Sequence, residues 1–198
     1  MKPRRPLPLR PLAAGLLLAA CALAGAANAA SLAKDEYRLD HDRAQAAYRL
    51  QWDSCRKLQG NAKDTCKVEA RGRFQLAKAQ IEAKYKQSPA NEDRVKLAQA
   101  DADYRLALEK CGDLRGKARD VCKADAKAAS VAAHSEIRLS RVAVDKGIYS
   151  RQAIEQRDDA REDKADALYD AAKERCGALA GDARDACLRD AKRKFRRL

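Results

Sequence analysis

Tyr48-x6-Cys55-x2-Leu58-x-Gly60-x-Ala62-Lys63-Asp64-x-Cys66-x3-Ala70 is a stretch that the chain uses three times. It returns as Tyr104-x6-Cys111-x2-Leu114-x-Gly116-x-Ala118-Arg119-Asp120-x-Cys122-x3-Ala126 and as Tyr169-x6-Cys176-x2-Leu179-x-Gly181-x-Ala183-Arg184-Asp185-x-Cys187-x3-Ala191, with no slip in register. In each copy the cysteines flank a glycine, five residues before it and six after. Two antiparallel helices reversing at that glycine place both cysteines about 8 Å from the turn, at 1.5 Å rise per residue. That is the level at which facing Cα atoms come within disulfide distance. Six cysteines allow 15 pairings. The threefold repetition selects Cys55–Cys66, Cys111–Cys122 and Cys176–Cys187.

The segments between cassettes carry apolar residues at helical spacing. Ser31 is a candidate cap for helix 1, whose seam of Tyr37, His41, Ala44, Tyr48, Cys55 and Leu58 runs to about Gln59. Gly60 tolerates the left-handed conformation that ends a helix, and Asn61 is the candidate cap of helix 2. Cys66, Ala70, Phe74, Ala77, Ile81 and Tyr85 stripe helix 2 as far as Ser88-Pro89. Helix 3 is expected from near Glu92. Helix 4 follows Gly116 with Cys122, Ala126, Ala129, Ala133, Ile137 and Val144, and Gly147 interrupts it. Ser150 opens helix 5. Within it, residues 155–164 hold a single apolar residue, Ala160, and read as a solvated helical spacer with no side to bury. Helix 6 begins at about Asp182.

Composition points the same way. The 198 residues carry a formal net charge of +13. From Ala30 onward, 26 of 169 residues are Leu, Ile, Val or Phe, too few for an ordinary core. Alanine and the long charged residues dominate instead, and these have the best helix propensities. Helices with thin seams need reinforcement. A bridge closing a loop this short supplies roughly 3 kcal/mol in the chain-entropy account. The expected fold is all-α: three antiparallel helical hairpins, each stapled by one Cys-x10-Cys disulfide, extended or packed as a bundle. The domains are a signal peptide (1–29), hairpin 1 (30–90), hairpin 2 (91–149), and a charged spacer with hairpin 3 and a basic end (150–198).

The N-terminus reads as an export signal. Lys2, Arg4, Arg5 and Arg10 precede the uncharged Leu12–Gly25, and Ala27-Asn28-Ala29 has the small-x-small form of a signal-peptidase site. A second reading competes with it. Leu18-Ala19-Ala20-Cys21 has the form of a lipobox, and Cys21 is the odd one of seven cysteines. An uncleaved membrane span fits the length but not the alanine content or the Ala-Asn-Ala exit. Export to a Gram-negative periplasm, free or lipid-anchored through Cys21, makes oxidised cysteines the expectation.

The opening Ser31-Leu32-Ala33-Lys34-Asp35-Glu36-Tyr37 and the cassettes, such as Gly60-Asn61-Ala62-Lys63-Asp64-x-Cys66, together resemble a family of exported, Ala- and Lys-rich helical proteins of proteobacteria, often labelled TolA-like. The resemblance covers nearly all of residues 31–198. It implies a periplasmic helical protein with an ordinary cleaved signal. It supplies no catalytic residues, and the borrowed label rests on composition.

Few residues invite chemistry. There is no Cys-x-x-Cys for redox or haem attachment, and neither His41 nor His134 lies near a cassette, so no metal, cofactor or catalytic group is assigned. His41 reads as a packed seam residue. His134 has no partner identifiable in sequence, and Trp52 reads as exposed or packed between hairpins. The one concentrated charge feature is Lys192, Arg193, Lys194, Arg196 and Arg197. These cations either complement the negative pole of a helix end or contact anionic lipid headgroups or lipopolysaccharide. Interleaved charge and the lack of an aromatic platform speak against nucleic acid. The leading expectation is a non-enzymatic structural or protein-interaction protein of the cell envelope, with an envelope protein or anionic envelope surface as partner and no small-molecule substrate. The alternative is a module that binds anionic envelope ligands (lipid headgroups, lipopolysaccharide) or nucleic acid through the tail.

Overall fold

A computed structural model of the chain describes the backbone of residues 18–147 and 149–195, and the side chains of 33–143, 147 and 149–195. The expected signal peptide (1–29), with the side chain of Cys21, lies outside the described side chains, as do Arg196 and Arg197. Among the described residues six helices follow one another: α1 (Leu18–Cys55), α2 (Gly60–Tyr85), α3 (Pro89–Lys110), α4 (Gly116–Lys146), α5 (Arg151–Cys176) and α6 (Gly181–Phe195). A single 3-10 turn, Cys111–Asp113, closes α3, and the described residues contain no strand. No helix among them is long and apolar enough to cross a membrane.

The chain divides into two compact units, Met1–Asp40 and His41–Leu198. In the first, the described side chains belong to α1, where Arg38 and Asp35 lie 3.9 Å apart on the surface. The second holds the three hairpins. Its cystines join Cys55 to Cys66, Cys111 to Cys122 and Cys176 to Cys187, with Cα separations of 5.5, 5.7 and 5.6 Å. Three such bridges belong to an oxidising, extracytoplasmic environment.

Every consecutive pair is antiparallel. From the first cystine the α1–α2 contacts proceed through Tyr48 stacked on Phe74 to His41 beside Glu82. The α3–α4 contacts proceed from the second cystine through Asp101–His134 to Asp93–Arg141. Among α2 to α6, the pairs that pack extensively are the consecutive ones. Alternating direction therefore brings the three stapled turns to one end and the turns after α2 and α4 to the other.

The core of the described residues is mostly alanine and cystine, with Ile81 and Val142. Among the described residues, Cys55, Cys111 and Cys176 are the largest fully buried side chains, and the cassette alanines Ala70, Ala126 and Ala191 are buried as well. The cassette leucines differ from expectation. Leu58, Leu114 and Leu179 lie beyond the last helical turn, at the turn surface, and are exposed. Gly60, Gly116 and Gly181 adopt φ near +54°, the left-handed conformation the reversal requires. Helix 1 ends at Cys55 rather than Gln59, because the carbonyls of Asp53, Ser54 and Cys55 accept the tighter turn bonds of Arg56, Lys57 and Leu58. Asn61 makes no cap; Gln59 precedes α2 without a side-chain bond.

At the opposite end the turns are capped by serines. The Asn91 amide donates to Ser88 Oγ at 3.2 Å, and Pro89 occupies the first turn of α3, three residues earlier than expected. Proline is tolerated there because its missing N–H would have no helical partner. The Ala153 amide donates to Ser150 Oγ at 3.1 Å, as the Ser150 start of α5 requires.

Residues 155–164 are helical but are not a spacer. Ala153, Ala160 and Ala167, seven residues apart, are all buried, and Ala160 is only 1% exposed. This stripe packs α5 on α4, where Ala128, Ala167 and Ala171 form a cluster with Val131 and Leu168 at its edge. The charged residues beside the stripe bridge the same pair of helices. Arg138 reaches Asp163 at 2.8 Å, Lys164 reaches Glu136 at 2.9 Å, and Arg175 pairs with Asp125. A single alanine per two turns suffices because its small side chain lets the helices approach while flanking ions close the gap.

Candidate interaction groove

Gly72 and Ala102 mark a close approach of α2 and α3. A Cβ placed on Gly72 would lie 2.9 Å from Ala102 Cβ, inside van der Waals contact. A groove of about 700 Å³ runs along the two helices, with this contact in its floor. Its lining residues on α2 fall at 68, 71, 72, 75, 78, 79 and 82, and on α3 at 94, 97, 98, 101, 102, 105, 108 and 109. Both sets step by three and four, so each is one face of a straight helix. The stretch from Val68 to Glu82 spans roughly 21 Å at helical rise.

The floor is apolar and half-buried, formed by Val68, Ala79, Leu97, Ala98, Ala102 and Leu108. Four exposed cations border it: Arg71 and Lys78 on α2, Arg94 and Arg105 on α3. Elsewhere on the described surface, cations are commonly paired with acids, as in Arg73–Glu69 and Arg141–Asp93. None of these four is paired with a carboxylate among the described residues. Arg71 lies over the Trp52 ring and Lys78 over Phe74, while Arg94 donates to the Asn91 side-chain oxygen. Two of the groove's acids are engaged: Glu82 by Lys86 at 2.9 Å, and Asp101 by His134 at 3.0 Å. The groove thus presents positive charge over an apolar base.

Both histidines meet carboxylates across a helix pair. His134 faces Asp101, a partner 33 residues away that sequence spacing could not supply, and both side chains are substantially exposed. No serine hydroxyl is hydrogen-bonded to the ring among the described residues. His41 lies 3.8 Å from Glu82 on the helix 1 seam, as a packed histidine would. Trp52 packs within hairpin 1 rather than between hairpins. Its ring lies against Tyr48, with Lys67 and Arg71 of α2 over it at 5.5 and 5.7 Å.

The basic end is largely drawn into its own helix. Lys192, Arg193 and Lys194 fall in the last turn of α6. Arg193 reaches Asp190 at 2.6 Å, and Lys194 lies over the Phe195 ring. One cassette cation serves the turn itself. Arg119 donates to the carbonyls of Leu114 and Gly112 at 2.7 and 2.9 Å, satisfying acceptors that the reversal leaves open.

The groove cations were the residues hidden from sequence reasoning. Their helical spacing is visible there, with Arg71 and Lys78 seven apart and Arg94 and Arg105 eleven apart. Their freedom from acid partners is not, because it depends on which acids other helices take. Comparison with known proteins finds no matching family profile, no matching curated protein and no matching solved structure.

Proposed function

We propose that this is a non-enzymatic interaction protein of the Gram-negative periplasm, exported by its N-terminal signal and acting by holding a charged surface rigid for an envelope partner. The observation that carries this reading is the α2–α3 groove, with an apolar floor and four cations not paired with acids. Binding surfaces on otherwise ion-paired helical proteins are expected where desolvation is cheap and charge is still available. The cystines support the reading, since they fix the hairpins in an environment where oxidation is stable. The basic tail ranks second as an interaction site, since Arg193 is engaged with Asp190.

The test is crosslinking in intact envelopes of the natural host, with the mature N-terminus read by mass spectrometry of the same sample. A discrete crosslinked envelope protein and a chain beginning at Ala30, or at a lipidated Cys21, are the expected results. Retention in the cytoplasm, or reduced cysteines in the exported protein, would refute the reading.

A further inference from the structure

We infer that the α2–α3 groove is a docking site for an acidic amphipathic helix of a partner protein. This rests on the interaction-protein reading and names the partner's chemistry. Gly72 and Ala102 lie at one level of the antiparallel pair. Arg71 and Arg105 lie one and three residues from that level toward the stapled end. Lys78 and Arg94 lie six and eight residues from it toward the serine-capped end. At 1.5 Å per residue the two pairs are roughly 13 Å apart along the groove. Each pair has one member on either wall.

A ligand with a single anionic head on an acyl chain would use one pair and leave the other facing apolar material. An occupant with carboxylates on both flanks, repeated about nine residues apart, would use both. The walls fit the same occupant. Each is a stripe of residues at three- and four-residue steps over roughly 21 Å, the complement of a third helix laid in a two-helix groove. Val68, Leu97 and Leu108 are the apolar positions such a helix would cover, and Gly72 and Ala102 leave the central floor without protruding side chains. Arg71 and Lys78 already rest on Trp52 and Phe74, which restrains their side chains before any partner arrives and lowers the ordering cost of binding.

The experiment uses the full exported chain with its cystines intact. The probe is a fluorescent alanine-based helical peptide of about four to five turns, with leucines along one face and glutamates on both flanks. One twin carries lysines in place of the glutamates, and another is a scrambled sequence of the same composition. Anisotropy titration is expected to show binding of the glutamate helix, at least tenfold weaker binding of both twins, and weakening with added salt. Arg94→Glu with Arg105→Glu is expected to lower affinity at least tenfold. Lys192→Glu with Arg193→Glu, outside the groove, is expected to leave affinity unchanged.

Equal affinity for the glutamate and lysine helices would overturn the inference, as would binding undiminished by the Arg94 and Arg105 substitutions. A long-chain fatty acid taken up in place of the peptide, and lost on those same substitutions, would also overturn it in favour of a single-headed amphiphile. Envelope crosslinking of the Arg94→Glu, Arg105→Glu protein separates the two levels. Persistent crosslinking to a discrete envelope protein, with no peptide bound, overturns the groove while leaving the interaction-protein reading standing.

Discussion

Replacing Gly72 by alanine should destabilise the protein, although the same change in an open helix stabilises it. Alanine in place of a helix-interior glycine gains about 1 kcal/mol from backbone entropy. Here the added methyl would lie 2.9 Å from Ala102 Cβ, so α2 and α3 must separate or bend. Overpacking of this kind costs roughly 1–3 kcal/mol, which leaves a net loss of about 0–2 kcal/mol after the propensity gain. The partner substitution, Ala102→Gly, relieves the contact but loses about 1 kcal/mol of helix propensity. Combined, the two exchange the methyl group from one helix to the other, and the double variant should return to within about 0.5 kcal/mol of the parent. The coupling in the cycle is therefore roughly 1–3 kcal/mol. Urea unfolding followed by far-ultraviolet circular dichroism at equal protein concentration measures it, with oxidised cysteines throughout. A Gly72→Ala variant more stable by the full propensity gain, together with an additive double variant, would refute the close approach of α2 and α3.

Other outcomes follow from the same packing. Removing the third bridge by Cys176→Ala with Cys187→Ala should cost roughly 3 kcal/mol, and because α5 is the one of α2 to α5 on which α6 packs extensively, hydrogen exchange should rise across Gly181–Phe195 first. Ala160→Leu should destabilise by about 1–3 kcal/mol through overpacking of the α4–α5 seam, whereas a solvated spacer would tolerate it; thermal unfolding decides. Arg141→Ala strips the α4 cation from Asp93, whose side chain is 7% exposed, and should cost about 1–3 kcal/mol. Arg161→Ala, which breaks an exposed pair with Asp158, should change stability by less than about 0.5 kcal/mol in the same urea assay.

What was legible in the sequence is what repeats. The cystine pairing and the left-handed glycines follow from spacing within the cassette, and the Ser150 start, outside it, follows from the local chemistry of a capping serine. The misread features depend on neighbours. Residues 155–164 look solvated because hydrophobicity is scored by side-chain size, yet Ala160 is buried through the closeness of two backbones and the ions beside it. In α4 the stripe through Ala129 describes one contact face, but a helix with a neighbour on each side needs two. Ala128 takes the α5 side while Ala129 remains exposed. Leu58 was placed on the helix 1 seam by its spacing, although the helix has already ended where it stands, and its counterparts Leu114 and Leu179 are exposed in the same position. The groove was beyond reach for a related reason. Asp101 looks like a partner for nearby cations on its own helix until His134, from α4, takes it.

The departures from exact repetition carry information of their own. The residue after the first cassette cysteine is Arg56, Gly112 or Gly177, and the residue six after that cysteine is Asn61, Lys117 or Asp182. A Cβ on Gly112 would lie 3.0 Å from Asn61 Oδ1, and one on Gly177 would lie 3.7 Å from Lys117 Nζ. In both junctions the variable position of one stapled turn therefore meets the glycine of the next. The first cassette follows no other, and there the glycine is replaced by Arg56, whose long side chain pairs with Asp53 at the surface. The two sets of positions thus have separate duties. Tyr, Cys, Gly and Ala are constant because each hairpin must close on itself in the same way. The positions flanking the cystine vary because each must fit a different neighbouring turn. The turns therefore meet edge to edge as well as the helix faces, and the Gly112–Asn61 contact joins the stapled ends of α2 and α3, the two walls of the groove.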